Sequence, residues 1–231
     1  ASPKRISGVV KSEIEDLKKR FGDPRRTQVV YHGIKEFATE DLIPNEPTIV
    51  MITRDGYIKR MPPETFRTQS RGGKGVIGLT TREEDVVEQL FSTTTHADLL
   101  FFTTRGRVFQ LKAYDVPPAS RTAKGQALVN FLQLSASEKV SAALSVPDLR
   151  DEKYMVMVTR NGVIKKTDIA DFASVRQSGL IAIRLHDDDT LEWVRPSTGK
   201  DEIVLVTAYG QSIRFRESDV RAMGRVASGV H

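Results

Sequence analysis

TIVMITRDGYIKRM, residues 48–61, sets two β-rich runs on either side of a tight turn at Asp55-Gly56, the pattern of a hairpin. The phrase recurs as LLFFTTRGRVFQLK (99–112), YMVMVTRNGVIKKT (154–167) and EIVLVTAYGQSIRF (202–215). Its turn glycines, Gly56, Gly106, Gly162 and Gly210, follow one another at spacings of 50, 56 and 48 residues. A second glycine trails each of them, at Gly75, Gly125, Gly179 and Gly229, with offsets of 19, 19, 17 and 19. Two glycines held in register four times mark an internal repeat. A period of about 50 residues with several strands per unit predicts an all-β array of propeller-like blades.

Within a repeat the hairpin is followed by a polar loop of about 13 residues. A third apolar run comes next (GVIGL, ALVNF, GLIAIRL), then a fourth (VVEQLFSTT, KVSAALSV, TLEWV). A stacked β-solenoid is the competing arrangement, and the longer, turn-rich units favour blades. The fourth repeat reaches SGVH where its third strand is due, so the chain reads as truncated and its last blade is expected to lack outer strands.

Upstream, Val10, Ile14, Leu17 and Phe21 form one apolar stripe and predict a helix over 9–21. Gly22 falls at the C′ position and Pro24 follows it. Residues 25–47 are irregular and read as a linker. The expected organisation is therefore a helix plus linker in 1–47 and the β-rich domain in 48–231.

Of 231 residues, 39% are apolar and 28% charged, a composition that reads as soluble and folded. No stretch approaches the length of a membrane span, and the first residues lack a signal-peptide core. Absence of cysteine removes thiolate and disulfide chemistry and fits a reducing cytosol. The four histidines, at 32, 96, 186 and 231, have no metal-ligand spacing.

Net charge is +5, so the placement of the cations matters more than their total. Three and four residues past each turn glycine stand Lys59-Arg60, Phe109-Gln110, Lys165-Lys166 and Ile213-Arg214, and the second repeat instead carries Arg107 and Lys112. The polar loops hold Arg67, Arg71 and Lys74, then Arg121 and Lys124, then Arg176, then Arg221 and Arg225. If rotation relates the repeats, these cations form a belt around the edge of the body. Such a belt suits duplex DNA: each neutralised phosphate releases counterions. Many contacts together also offset a bending cost on the order of 1–6 kcal/mol. Amides exposed by Gly72, Gly73 and Gly75 are suited to phosphate oxygens. Two other readings stay open at this point, a protein-docking propeller and cations that merely guard exposed strand edges.

Catalytic signatures are missing. Gly72-Gly73-Lys74-Gly75 lacks the upstream glycine spacing and the following Ser/Thr of a phosphate-binding loop, and TGKD at 198–201 fails the same test. Asp187-Asp188-Asp189 reads as a turn between strands. Tyr31, Tyr57, Tyr114, Tyr154 and Tyr209 share no repeated position, and most read, like Trp193, as strand or core-edge packing. No nucleophile–base arrangement can be nominated, and the chain reads as non-catalytic by itself.

QSRGGKG, 69–75, resembles the GyrA box, Q-R-R-G-G-K-G, of the carboxy-terminal domain family of DNA gyrase A subunits, which belong to the type IIA topoisomerases. FGDPRRT (21–27), EDLI (40–43), GYIKR (56–60), THADLLFFTTRGRVF (95–109) and AKGQALVNFLQL (123–134) extend the resemblance over nearly the whole chain. It implies a β-pinwheel, a disc of usually six four-stranded blades with strands exchanged between neighbours, of which four repeats stand here. By the same resemblance 1–47 is the end of the breakage–reunion helix plus a linker. The basic rim is implied to bind duplex DNA without strong sequence preference and to wrap it in a positive sense. By the resemblance, wrapping is implied to serve ATP-driven negative supercoiling by a bacterial, cytoplasmic A2B2 assembly with the gyrase B subunit.

Carried over residue by residue, the box is Gln69, Ser70, Arg71, Gly72, Gly73, Lys74 and Gly75. Ser70 stands where the family usually has arginine, which implies one phosphate contact fewer and somewhat weaker binding. The cleaving tyrosine, the ATP site and the magnesium site are implied to lie elsewhere in the assembly. The A subunit of topoisomerase IV, whose related domain usually lacks an intact box, is the alternative within the same chemistry.

Overall fold

Each repeated phrase closes around the same turn in the computed structural model, which describes residues 2–23, 27, 39–66, 85–146, 152–176 and 178–231. A threonine three residues before the turn glycine fixes it. The glycine amides of 56, 106, 162 and 210 donate to the carbonyls of Thr53, Thr103, Thr159 and Thr207 at 2.9–3.1 Å. The hydroxyls of those threonines accept the amides of Tyr57, Arg107, Val163 and Gln211 at 3.1–3.3 Å. All four turn glycines have positive φ, as do Gly125, Gly179 and Gly229.

The hairpins are β1 (Pro47–Thr53) with β2 (Tyr57–Met61), β4 (Asp98–Thr103) with β5 (Arg107–Lys112), β8 (Tyr154–Thr159) with β9 (Ile164–Asp168), and β12 (Glu202–Val206) with β13 (Ser212–Arg216). The fourth apolar runs form β3 (Val87–Thr94), β7 (Val140–Ser145) and β11 (Leu191–Ser197), each antiparallel to the first strand of its own hairpin.

The third runs go elsewhere. They form the short strands β6 (Gln126–Ala127) and β10 (Leu180–Ile181), which pair with β2 and β5, the hairpins of the preceding repeats. The sheets accordingly run β3-β1-β2-β6, β10-β5-β4-β7, β11-β8-β9 and β12-β13, and each of the first two includes a strand from the following repeat. Ile164 is bridged to Val230 in the same sense. This is the strand exchange of a β-pinwheel, and it assigns the third run to the blade before it. GVIGL lies outside the described residues.

The core sits between successive sheets. Val50, Ile52 and Ile58 meet Leu99, Phe101 and Phe109 in one cluster. Leu100, Phe102 and Val108 face Met155, Met157 and Leu191 in the next. Val156, Val158 and Ile164 meet Val220, with Ile203, Leu205 and Phe215 against them, in the third. A central strand such as β4 is therefore buried on both faces, which is why it reads as the unbroken run LLFF rather than as an alternation. In β12 only one face is covered, and Val204 and Val206 are exposed.

The chain divides into two units, 1–38 and 39–231. In the first, α1 (Pro3–Phe21) begins six residues earlier than its stripe predicts, with proline in its first turn and none of its residues buried. Gly22 caps it through its amide to the Lys18 carbonyl at φ −74°, so the left-handed cap expected there does not form. In the second, residues 39–46, expected as linker, are tied to the second sheet. Thr95 donates to the Pro44 carbonyl at 2.7 Å, His96 Nε2 lies 2.7 Å from the Ile43 carbonyl, and Lys112 pairs with Glu40 at 2.6 Å.

Candidate nucleic-acid interface

The cations expected on the rim separate into two sets. Lys59, Lys165 and Lys166 are only 1%, 0% and 5% exposed, so they are not surface charges. Strand exchange explains this for Lys59 and Lys165, since the face of β2 and β9 that carries them is covered by the loop of the following repeat. Lys166, next along β9, lies on the opposite face and is held by Glu217 of that repeat. Lys59 Nζ donates to the carbonyls of Ser120, Arg121 and Ala123 at 3.3, 2.6 and 2.8 Å. Lys165 Nζ donates to the Ala182 carbonyl at 2.7 Å and to the Arg225 carbonyl. Lys166 Nζ donates to the Glu217 carbonyl at 2.8 Å and lies 3.6 Å from its buried carboxylate. Arg60, half-buried, directs Nε to the Val116 carbonyl at 2.6 Å. Burial pushes the Lys59 ammonium below the usual lysine range. It takes Lys165 down to about 8, with Asp171 opposing and Arg225 reinforcing the fall.

In the second repeat the same position is Phe109, whose ring lies against Gly179 so closely that a Cβ there would come within 2.7 Å of it. In the fourth it is Ile213, which is exposed. Lys, Phe and Lys thus perform one task, gripping the loop that arrives from the next repeat.

The second set lies on those gripped loops. Arg176 and Arg221 are exposed, while Arg121, Lys124 and Arg225 are half-buried. Lys124 Nζ sits 3.6 Å from the centroid of the Tyr57 ring, a cation–π contact made by the ammonium itself. Segments 116–125, 173–179 and 220–231 contain these five cations and no carboxylate, although the chain has 30 acidic residues. Arg214 is exposed on β13 and pairs with Glu202 at 2.5 Å. Arg107 and Lys112 are engaged with Glu138 and with Asp98 and Glu40. Arg67 and the box residues Gln69, Ser70, Arg71, Gly72, Gly73, Lys74 and Gly75 lie outside the described residues.

Three further cations, Arg54, Arg105 and Arg160, occupy the hairpin turns and are exposed. The repeated phrase itself carries them, one or two residues before the turn glycine, and comparison of the four phrases would have found them. Two aromatic residues also depart from expectation: Trp193 on β11 is 57% exposed and Tyr209 in the last turn 97%.

Buried acids brace the turns behind these cations. Asp85 Oδ1 accepts the Asp55 amide at 3.1 Å, and Asp189 Oδ1 accepts the Asn161 amide at 3.1 Å. Asp189 thereby belongs to a turn scaffold, and Asp188 beside it takes positive φ. Glu138 accepts from Thr103 at 2.6 Å, from Arg107 at 3.0 and 2.5 Å, and from the Ser135 amide at 2.9 Å. Burial alone would raise its carboxyl, but these hydrogen bonds outweigh burial and hold it at about 2. No group of three His, Asp or Glu is placed to hold a metal ion among the described residues.

Exchanged strands, repeated turns and acid-free basic loops define an all-β blade-repeat protein. A family model described as DNA gyrase C-terminal domain, beta-propeller, matches residues 47–94, 97–147, 153–198 and 201–231, and the chain belongs to that family. The DNA gyrase A subunit of Clostridium acetobutylicum is 44% identical over 230 residues, covering 100% of this chain and 28% of the relative. The chain thus spans little more than a quarter of that relative's length. Among solved structures, the C-terminal domain of DNA topoisomerase IV superposes with a TM-score of 0.70 at 29% identity, over 81% of this chain and 57% of that one. The DNA gyrase A C-terminal domain does so with a TM-score of 0.61 at 25% identity, over 80% and 59%.

Proposed function

We propose that this chain binds and bends duplex DNA along its basic loops, as the wrapping module of a gyrase A subunit. The observation that carries the reading is the recurrence of cation-bearing, carboxylate-free loops at equivalent places in successive repeats. Phosphates recur along a duplex, so a repeated cation engages a repeated anion, and binding of this kind follows the backbone rather than the base sequence. The contacts assigned to DNA are Arg121, Lys124, Arg176, Arg221 and Arg225, with Arg214 and the hairpin arginines Arg54, Arg105 and Arg160 beside them. Arg67 and the box residues Arg71 and Lys74, with the amides of Gly72, Gly73 and Gly75, are assigned the same role from sequence. Arg60 serves chiefly to join repeats, with Lys59, Lys165 and Lys166.

DNA cleavage, ATP turnover and the magnesium they require belong, in this reading, to the rest of a bacterial A2B2 assembly with the gyrase B subunit. The A subunit of topoisomerase IV is the second reading, favoured by the fold superposition. The near-complete box and the identity to gyrase relatives support the first.

Two experiments test it. Fluorescence anisotropy of a labelled linear duplex across a salt series is expected to show binding that weakens steeply with salt. Arg121→Ala/Lys124→Ala is expected to flatten the slope of log K against log salt by about 1.8, about 0.9 for each phosphate no longer neutralised. An unchanged slope in a folded variant removes both residues from the interface. Ligation of nicked plasmid bound to the chain, followed by linking-number analysis, is expected to give a salt-sensitive positive shift. Binding that survives high salt would instead mark a protein-docking surface.

A further inference from the structure

Lys59 and Lys165 face inward and donate to main-chain carbonyls, yet a buried ammonium is a costly way to fill a strand position. The second repeat fills it with Phe109, so the fold itself does not demand a charge. What separates the repeats is the loop being gripped. Phe109 faces the short loop, with a glycine offset of 17 and the single cation Arg176. Lys59 and Lys165 face loops of offset 19, each with two cations, Arg121 and Lys124 or Arg221 and Arg225.

The ammonium reaches a corresponding atom in both. Arg121 and Arg225 each stand four residues before the repeat glycine, at Gly125 and Gly229, and each gives its backbone carbonyl to the buried lysine. The residue whose guanidinium is assigned to phosphate is thus the residue whose main chain is tied down. A carbonyl cage suits this task better than an apolar ring. Its hydrogen bonds fix direction as well as distance, and a loop with two like charges gains little apolar contact of its own.

Resting on the DNA reading above, we propose that Lys59 and Lys165 are positioning residues, whose buried ammonium groups hold the main chain at Arg121 and Arg225 so that the two-cation loops present both charges to the phosphates of one duplex. They touch no DNA themselves. They act through the loops.

A double-mutant cycle on the 231-residue chain separates positioning from general support of the fold. Lys59→Met keeps the stem and removes the donors. It is expected to flatten the salt slope of duplex binding by about as much as Arg121→Ala/Lys124→Ala, roughly 1.8. In the Arg121→Ala/Lys124→Ala background it is expected to change neither affinity nor slope, because the charges it positions are gone. Thermal unfolding of every variant accompanies the titrations. The same cycle at Lys165 with Arg221→Ala/Arg225→Ala gives a second instance, and it decides the matter if Lys59→Met does not fold. Equal losses in both backgrounds, or a folded lysine variant that binds as the unaltered chain does, overturn the positioning role and leave the DNA reading intact. Failure of the unaltered chain to bind duplex at low salt overturns both.

Discussion

Glu138→Gln is expected to destabilise the chain by about 3 kcal/mol at neutral pH. The carboxylate is fully buried against Arg107, accepts four hydrogen bonds from three residues, and titrates at about 2 rather than 4.5. Because its folded pKa lies below the unfolded one, its contribution is complete above the unfolded value and disappears as pH falls from about 4.5 towards 2. The gap between wild type and variant, measured by urea unfolding, should therefore be smaller by about 2 kcal/mol at about pH 3 than at neutrality. A glutamine supplies one acceptor and no charge, which leaves the guanidinium of Arg107 without a counterion beside the turn. Loss of less than about 1 kcal/mol at neutral pH, or a gap that does not narrow in acid, would remove Glu138 as the brace of the second hairpin. The repeat adds a comparison. Asp85 braces the first turn through the Asp55 amide and Asp189 the third through the Asn161 amide, with the Thr190 amide as a second donor. Neither is paired with an arginine, so Asp→Asn there should cost less.

The repeat was legible in the sequence because each turn needs a residue that tolerates positive φ, and glycine leaves that need visible at fixed spacing. Gly56, Gly106, Gly162 and Gly210 are such positions, and their left-handed backbone accounts for the register. The threonines were equally legible, standing in all four phrases three residues before the glycine. Strand exchange was not legible from the residues themselves. Ladder hydrogen bonds are made by main chain, so ALVNF carries no mark of whether it pairs with its own hairpin or the previous one. Only the family resemblance pointed there.

The lysines illustrate a different limit. Within its own strand, Lys59 alternates with Ile58 and reads as a solvent-facing cation. Aligned across repeats, the position holds Lys59, Phe109, Lys165 and Ile213, and two large apolar residues in four are a signal of burial. The same alignment brings out the hairpin arginines, since Arg54 and Arg160 correspond and Arg105 is one residue later. In a repeat protein, the column says more about a residue than its neighbours along the chain do.

Gly125→Ala and Gly56→Ala, which alter glycines with nearly the same φ, are expected to differ about twofold in the stability they cost. Gly56 has φ +80°, and a Cβ placed on it would meet nothing within 4 Å, so alanine there faces only the left-handed backbone penalty, about 1–2 kcal/mol. Gly125 has φ +86°, and its Cβ would lie 2.5 Å from the Ile58 carbonyl oxygen and 3.1 Å from Lys59 Cβ. Those atoms belong to β2 of the preceding repeat, so the only relief is to push apart the two segments that strand exchange joins. Overpacking of this kind adds about 1–3 kcal/mol, for a total of about 2–5 kcal/mol. The displaced main chain also carries the carbonyls that receive Lys59, so duplex binding should fall in Gly125→Ala and persist in Gly56→Ala. Gly229 repeats the geometry, with a Cβ 2.6 Å from the Ile164 carbonyl oxygen. Equilibrium unfolding of the two variants decides the matter. If both lose the same small amount, the loop yields to a methyl group and close approach is not what holds the second glycine in register. If Gly125→Ala alone loses both stability and binding, one contact sets the junction between repeats and the placement of their charges.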